Sequence, residues 1–165
     1  MRERADSPAR LAVVGAGAWG TVIALLLSRN GHQVTLWART EEQARRLRER
    51  RENEVRLPGV ALPEELAVTA DLERAVDGAN AAFLAVPSRA VPETCAGLQD
   101  VPVVVSCSKG FAVPGLTRLS EHIARELPAA QVAVLSGPNL AGEIARGLPA
   151  ATVVVAMSSR NGSPS

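Results

Sequence analysis

The chain has 165 residues, 47% hydrophobic and 21% charged, with a formal net charge of +1 at pH 7. That length supports one domain with a real core, and the near-neutral charge argues against nucleic acid or a membrane surface as partner. No apolar run is long enough to span a bilayer, and the polar residues 1–8 lack the apolar stretch of a secretory signal.

Residues 11–14 are a short apolar run ending at a glycine, the pattern of a buried parallel strand. Residues 21–27 suit a helix that stops at Asn30-Gly31. Residues 33–37 alternate and are β-rich, so they read as a second strand. A charged helix is expected over 41–54, with Glu41–Arg45 and Glu42–Arg46 in the favourable i,i+4 order. Leu57-Pro58-Gly59 reads as its breaker. The run Arg45, Arg46, Arg48, Arg50 and Arg51, interleaved with Glu, reads as a solvated helix face. Residues 68–69 are a weak strand and 72–76 a short helix. Residues 81–86 form a buried strand closed by Pro87. A helix over 92–98, a strand over 101–106, a helix over 117–127 and a strand over 131–135 follow. Ser136-Gly137-Pro138 stops that strand. Residues 140–146 read as a helix and 151–155 as a last strand. Residues 1–8 are expected to be flexible, and the polar tail 158–165 carries no packing pattern and is expected to be disordered. Cys95 and Cys107 form no disulfide framework, which with the absent leader points to the cytoplasm.

Gly15-Ala16-Gly17-Ala18-Trp19-Gly20 lies between the first strand and the first helix, with a second strand at the right distance. In that context the G-x-G-x-x-G spacing signals a dinucleotide. Gly15 permits the tight turn, Gly17 lets the backbone approach a pyrophosphate, and Gly20 lets the helix lie close to the sheet. The helix N-terminus offers unpaired N–H groups and a positive dipole end. The expected fold class is α/β and Rossmann-type, a mostly parallel sheet with helices on both faces, in one domain over residues 9–157. An NAD-selective site carries Asp or Glu at the end of the second strand. Here that strand ends Leu36-Trp37-Ala38-Arg39. Arg39 suits a 2′-phosphate, which favours NADP(H), while nearby Glu41 and Glu42 keep NAD(H) open.

Of the 18 Lys and Arg residues, Lys109 is the single lysine. It follows the carboxyl end of an apolar strand, the edge at which such sheets bind ligands. An ammonium there suits proton supply and charge stabilisation in carbonyl reduction. The bland alternative is a surface lysine before a glycine turn. Gly137 also follows a strand end. Arg89 is within reach of a phosphate or is a surface arginine. His32 reads as structural and His122 as solvated beside Glu121. Neither has metal-type neighbours, so no metal site is expected. Cys107 reads as packing rather than nucleophile.

Trp19 inside the glycine motif, Thr21 after it, and Leu36-Trp37-Ala38-Arg39 form a specific combination. Arg51-Glu52-Asn53, Leu57-Pro58-Gly59, Ala85-Val86-Pro87-Ser88 and Ser108-Lys109-Gly110 follow in order. Ser136-Gly137-Pro138-Asn139-Leu140-Ala141, Glu143 and Gly147-Leu148-Pro149-Ala150-Ala151 complete the series. Over about residues 9–155 the chain resembles the bacterial NAD(P)-dependent glycerol-3-phosphate dehydrogenases. The resemblance implies reduction of dihydroxyacetone phosphate to sn-glycerol 3-phosphate, a phospholipid precursor, in the cytoplasm. It implies that Ala18, Trp19, Arg39, Pro87 and Ala141 contact the cofactor beside the three cradle glycines. Lys109 would sit where cofactor and substrate meet, as an assisting catalytic group. Gly137 and Asn139 would border the substrate. Asn139 departs from the Ser or Thr often found there, yet an amide also donates hydrogen bonds.

The resemblance further implies a second, helical domain that supplies the principal catalytic lysine and much of the substrate pocket. With one lysine in all, the chain is expected to be the cofactor-binding half, without the substrate domain and inactive alone. A homodimer of the full-length enzyme stays open. Two other readings remain: a non-catalytic dinucleotide-binding module, and a related 2-hydroxy-acid or ketopantoate-type reductase, which Trp19 and the Lys109 context disfavour.

Overall fold

A computed structural model describes residues 7–112, 117–137 and 140–156. Of the stretch expected to be flexible at the start, 1–8, only Ser7 and Pro8 are among them; the tail expected to be disordered, 158–165, lies outside them. In chain order the first half holds β1 (Arg10–Val14), α1 (Ala18–Arg29), β2 (Gln33–Trp37), α2 (Glu41–Arg50), β3 (Glu52–Asn53), β4 (Leu57–Ala61), β5 (Ala67–Thr69) and α3 (Leu72–Val76). Then come β6 (Ala81–Leu84), α4 (Val91–Cys95), β7 (Val103–Ser106), β8 (Phe111–Ala112), β9 (Thr117–Arg118), α5 (Leu119–Glu126), β10 (Gln131–Ser136), α6 (Ala141–Ala145) and β11 (Val153–Ala156).

The main sheet has seven strands in the order β11-β10-β7-β6-β1-β2-β5. Its pairings are parallel except that of β10 with β11. Strand addition runs from β1 through β2 to β5, then reverses and proceeds from β6 to β10. The reversal falls between β1 and β6, so the crevice of such a sheet opens there, at the carboxyl ends.

Alternation along β1 divides the core. Ala12 and Val14 face one side with Leu84 and Val104, against Val91, Cys95, Leu98 and Ile123 from α4, the turn after it, and α5. Val13 faces the other side with Leu36 and Val105, against Ile23, Ala24, Ala44 and Leu47 of α1 and α2. A third cluster lies on the far side of α1, where Val22 and Leu25 meet Leu57, Val60 and Ala145. Helix α1 is therefore covered on two sides, which explains why Gly20 through Leu25 are all buried. A helix apolar all round belongs inside a fold.

The third cluster corrects the reading of residues 41–59. The charged helix ends at Arg50, not at 54. Arg51 takes a left-handed conformation at φ 50, and its guanidinium donates to the carbonyls of Pro63 and Leu66. Those bonds hold the chain away from the helix axis. Leu57-Pro58-Gly59 is the start of β4, which pairs with β3 as an antiparallel hairpin and buries Leu57 against α1. Of the two expected ion pairs, Glu42–Arg46 forms at 2.5 Å, while Glu41 turns to Arg48 and Arg45 to Glu49. All are exposed and contribute little. Other differences are at ends: β6 stops at Leu84, β7 begins at Val103, and Thr117–Arg118 is a short strand before α5. His122, read as solvated, has a buried Nε2 without a partner among the described residues. Strand β11 lies at the sheet edge, with Val153, Val154 and Val155 more than half exposed.

Both cysteines are buried free thiols. Burial pushes the Cys107 thiol up to about 12; burial, then the charge of Glu126, pushes Cys95 up to about 11. Only the thiolate reacts, so a thiol reagent at pH 8 should label neither residue in the folded chain and both after denaturation. Rapid native labelling of Cys107 contradicts the packing described. Unfolded thiols ionise from the ordinary value of 9.0 while the folded ones hold their protons. Stability from these groups is therefore complete below pH 9 and declines as the pH rises toward 11 to 12. Denaturant midpoints across that range, with Cys107→Val as control, measure it.

Candidate functional site

The register of the sheet gathers the residues singled out above. Thr69, Trp37, Val14, Leu84, Ser106 and Val134 form one paired row across six strands. Gly17, Pro87, Lys109 and Gly137 each lie three residues beyond that row, and Arg39 lies two beyond it. One edge of the sheet thus carries them all. Neighbouring strands are about 4.8 Å apart, so the β1 and β7 loops start roughly 10 Å from each other.

The glycine loop has two closed positions and one open one. Gly15 sits at φ +119 and donates its N–H to the Trp37 carbonyl at 3.1 Å. A Cβ on Gly15 would stand 2.6 Å from the Ala85 carbonyl oxygen, and one on Gly20 would stand 1.8 Å from the Gly15 carbonyl oxygen. Side chains are excluded at both. A Cβ on Gly17 would meet nothing within 4 Å among the described residues. Gly17 is also the N-cap of α1 and has no side-chain capping bond. The first intrahelical bond runs from the Thr21 N–H to the Gly17 carbonyl at 3.0 Å. The N–H groups of Ala18, Trp19 and Gly20 precede it and have no helical acceptor. No acidic residue lies in the first turn, so no side chain there offsets the positive dipole end.

Two side-chain amides, the half-buried Gln43 and the buried Asn53, support this loop. The Ala16 carbonyl accepts from Gln43 Nε2 at 3.0 Å and from Asn53 Nδ2 at 3.2 Å. Asn53 Nδ2 also donates to Thr21 Oγ1 at 2.8 Å, and that hydroxyl donates to the Gly17 carbonyl at 2.7 Å. Sequence reasoning missed Gln43 and Asn53 as parts of the site. The missed signal was turn chemistry: an Asn four residues before Leu-Pro-Gly fits a hairpin better than a helix end.

Lys109 is exposed, on a loop clamped from beneath. Ser108 Oγ donates to the Val86 carbonyl at 2.6 Å and lies 3.1 Å from that of Leu84, while the Cys107 N–H donates to Leu84 at 2.9 Å. These bonds tie the β7 loop to the β6 loop. Pro87 is exposed and precedes a 3₁₀ turn at Ser88–Ala90. Arg39 is exposed, just past the buried Ala38, whose N–H donates to Thr69. Trp19 is half-buried between the α1–sheet and α1–hairpin clusters. Ala141 begins α6 and packs on the latter. Gly137 is half-buried at the end of β10, whereas Asn139 lies outside the described residues.

His32 Nδ1 accepts from the Ala9 N–H at 3.3 Å, which ties it to the chain start. Among the described residues no group of three or more His, Cys, Asp and Glu could hold a metal ion. No helix among them is long and apolar enough to cross a membrane. A cavity of about 460 Å³ lined by Arg10, His32, Arg74 and Asp77 lies away from the glycine loop and includes none of the predicted site residues.

The chain is similar to known proteins over most of its length. A glycerol-3-phosphate dehydrogenase [NAD(P)+] of Deinococcus radiodurans is 56% identical over 133 residues, covering 81% of this chain and 40% of the relative. One from Thermus thermophilus is 49% identical over 136 residues, covering 81% and 42%. The chain thus spans about two fifths of the length of the curated relatives it matches. The crystal structure of a glycerol-3-phosphate dehydrogenase from Coxiella burnetii superposes with a TM-score of 0.86 at 32% identity, covering 93% of this chain and 48% of that one. The family model described as NAD-dependent glycerol-3-phosphate dehydrogenase N-terminus matches residues 10–162, and the chain belongs to that family.

Proposed function

We propose that this chain binds a nicotinamide dinucleotide in the Gly15–Gly20 cradle and forms the cofactor-binding half of an enzyme that reduces dihydroxyacetone phosphate to sn-glycerol 3-phosphate. The observation that carries the reading is the open position at Gly17 beside the unpaired amides of α1. A pyrophosphate fits such a place: it brings acceptor oxygens and negative charge to N–H donors and a positive dipole end. Bound nicotinamide supplies a hydride to a ketone carbon. Gly17, Ala18 and Trp19 offer backbone to the phosphates, and Pro87 and Ala141 flank the loop. The Lys109 ammonium, on the clamped β7 loop, is the group that stabilises negative charge on the substrate oxygen and assists its protonation. Gly137 and Asn139 border the substrate. Arg39 favours NADP(H) over NAD(H) by pairing with a 2′-phosphate.

Titration with NADPH and NADH, followed by the fluorescence of Trp19 and Trp37, tests the binding. Quenching is expected with both, and none at millimolar cofactor would overturn the reading. Gly17→Ala and Gly20→Ala should separate binding from folding. Gly17→Ala leaves the melting temperature nearly unchanged and weakens NADPH at least about tenfold, because the added methyl stands where the phosphates approach. Gly20→Ala forces a clash and costs about 3 kcal/mol of stability. Equal effects of the two on stability would refute the assignment.

Arg39→Asp is expected to weaken NADPH more than NADH. Equal losses would remove Arg39 as the reader of the 2′-phosphate. With Lys109 as its single lysine, the 165-residue chain should not oxidise NADPH in the presence of dihydroxyacetone phosphate. Turnover at an ordinary enzymatic rate would show that catalysis needs no second lysine.

A further inference from the structure

The Ala16 carbonyl is held from two separate elements, by Gln43 on α2 and Asn53 on β3. In a trans peptide the C=O and the following N–H point in opposite directions. Fixing the Ala16 carbonyl therefore fixes the Gly17 N–H, aimed away from both amides. The next peptide is held in the same way. The Gly17 carbonyl accepts from the Thr21 N–H and hydroxyl, and that hydroxyl is oriented by Asn53. The Ala18 N–H is thereby set too. Neither the Gly17 nor the Ala18 N–H donates to a protein acceptor among the described residues. Asn53 is 5% exposed and Thr21 is fully buried, so water does not compete for the bonds those two make. Asn53 Oδ1 is occupied as well, accepting from the Arg56 N–H at 3.3 Å, which locks the amide in one orientation.

We infer that Gln43 and Asn53 are positioning residues for pyrophosphate binding: they hold two consecutive peptide groups so that the N–H groups of Gly17 and Ala18 are aimed in advance at phosphate oxygens. The inference rests on the reading that the cradle takes a nicotinamide dinucleotide. Its effect is on affinity, since amides left free would have to be ordered by the ligand.

Gln43→Met removes one donor from a half-buried side chain and leaves Asn53 to hold the hairpin. Calorimetry with NADPH and ADP, both of which carry a pyrophosphate, is compared with adenosine binding measured by NMR. The variant should bind NADPH and ADP about fivefold more weakly, as expected for one well-placed hydrogen bond. Adenosine affinity and melting temperature should match those of the unaltered chain. Asn53→Ser should give a larger loss for ADP than for adenosine even where it lowers the melting temperature. Unchanged ADP affinity in Gln43→Met, or equal losses for ADP and adenosine in either variant, would overturn the inference. Failure of the unaltered chain to bind NADPH would instead overturn the reading beneath it.

Discussion

Helix α1 approaches the loop after β1 so closely that the Gly15 carbonyl occupies the space a side chain at position 20 would need. Two consequences follow from that contact. The N-terminal turn of α1 arrives at the carboxyl edge of the sheet with its amides unpaired and nothing standing over Gly17. The helix also runs low enough against Val13 and Leu36 for a hairpin and α6 to close over its other side. A bulkier residue at position 20 would lift the helix, open the core and tilt the cradle together.

A parallel sheet places equivalent positions of successive strands side by side, and here that property does the gathering. One paired row beneath the edge serves every loop, so residues far apart in sequence arrive at the same level. The loops differ in what holds them. The β1 loop is fastened by the side-chain amides of Gln43 and Asn53, and the β7 loop by a serine hydroxyl reaching across to β6. Backbone is immobilised in both cases. The charged side chains, Arg39 and Lys109, are left extended into solvent.

How much of this was legible in the sequence depends on the range of the interaction involved. The β1–α1–β2 unit was readable because its apolar runs and glycines act locally, and β2 appears with the very ends expected. The three glycines were assigned by spacing, and the structure gives each a steric account. The hairpin after α2 was not legible. Residues 41–54 carry strong helical charge patterning, and what ends the helix is the bonding of Arg51 to carbonyls beyond the hairpin. The roles of Gln43 and Asn53 were hidden for the same reason, since their acceptor lies far back in the chain. Individual placement of Lys109 and Gly137 followed from strand ends. Their common level did not, because register between strands is a property of the assembled sheet.

Arg39 stands apart from everything that holds the domain together. It is exposed, follows the buried Ala38 just past its strand, and takes part in none of the described bonds that fasten the cradle. Gly15 and Gly20 are built into the core of the domain, whereas Arg39 is an outlying side chain. Replacement of Arg39 therefore leaves the packing of the domain untouched, whereas a side chain at Gly15 or Gly20 would disturb it.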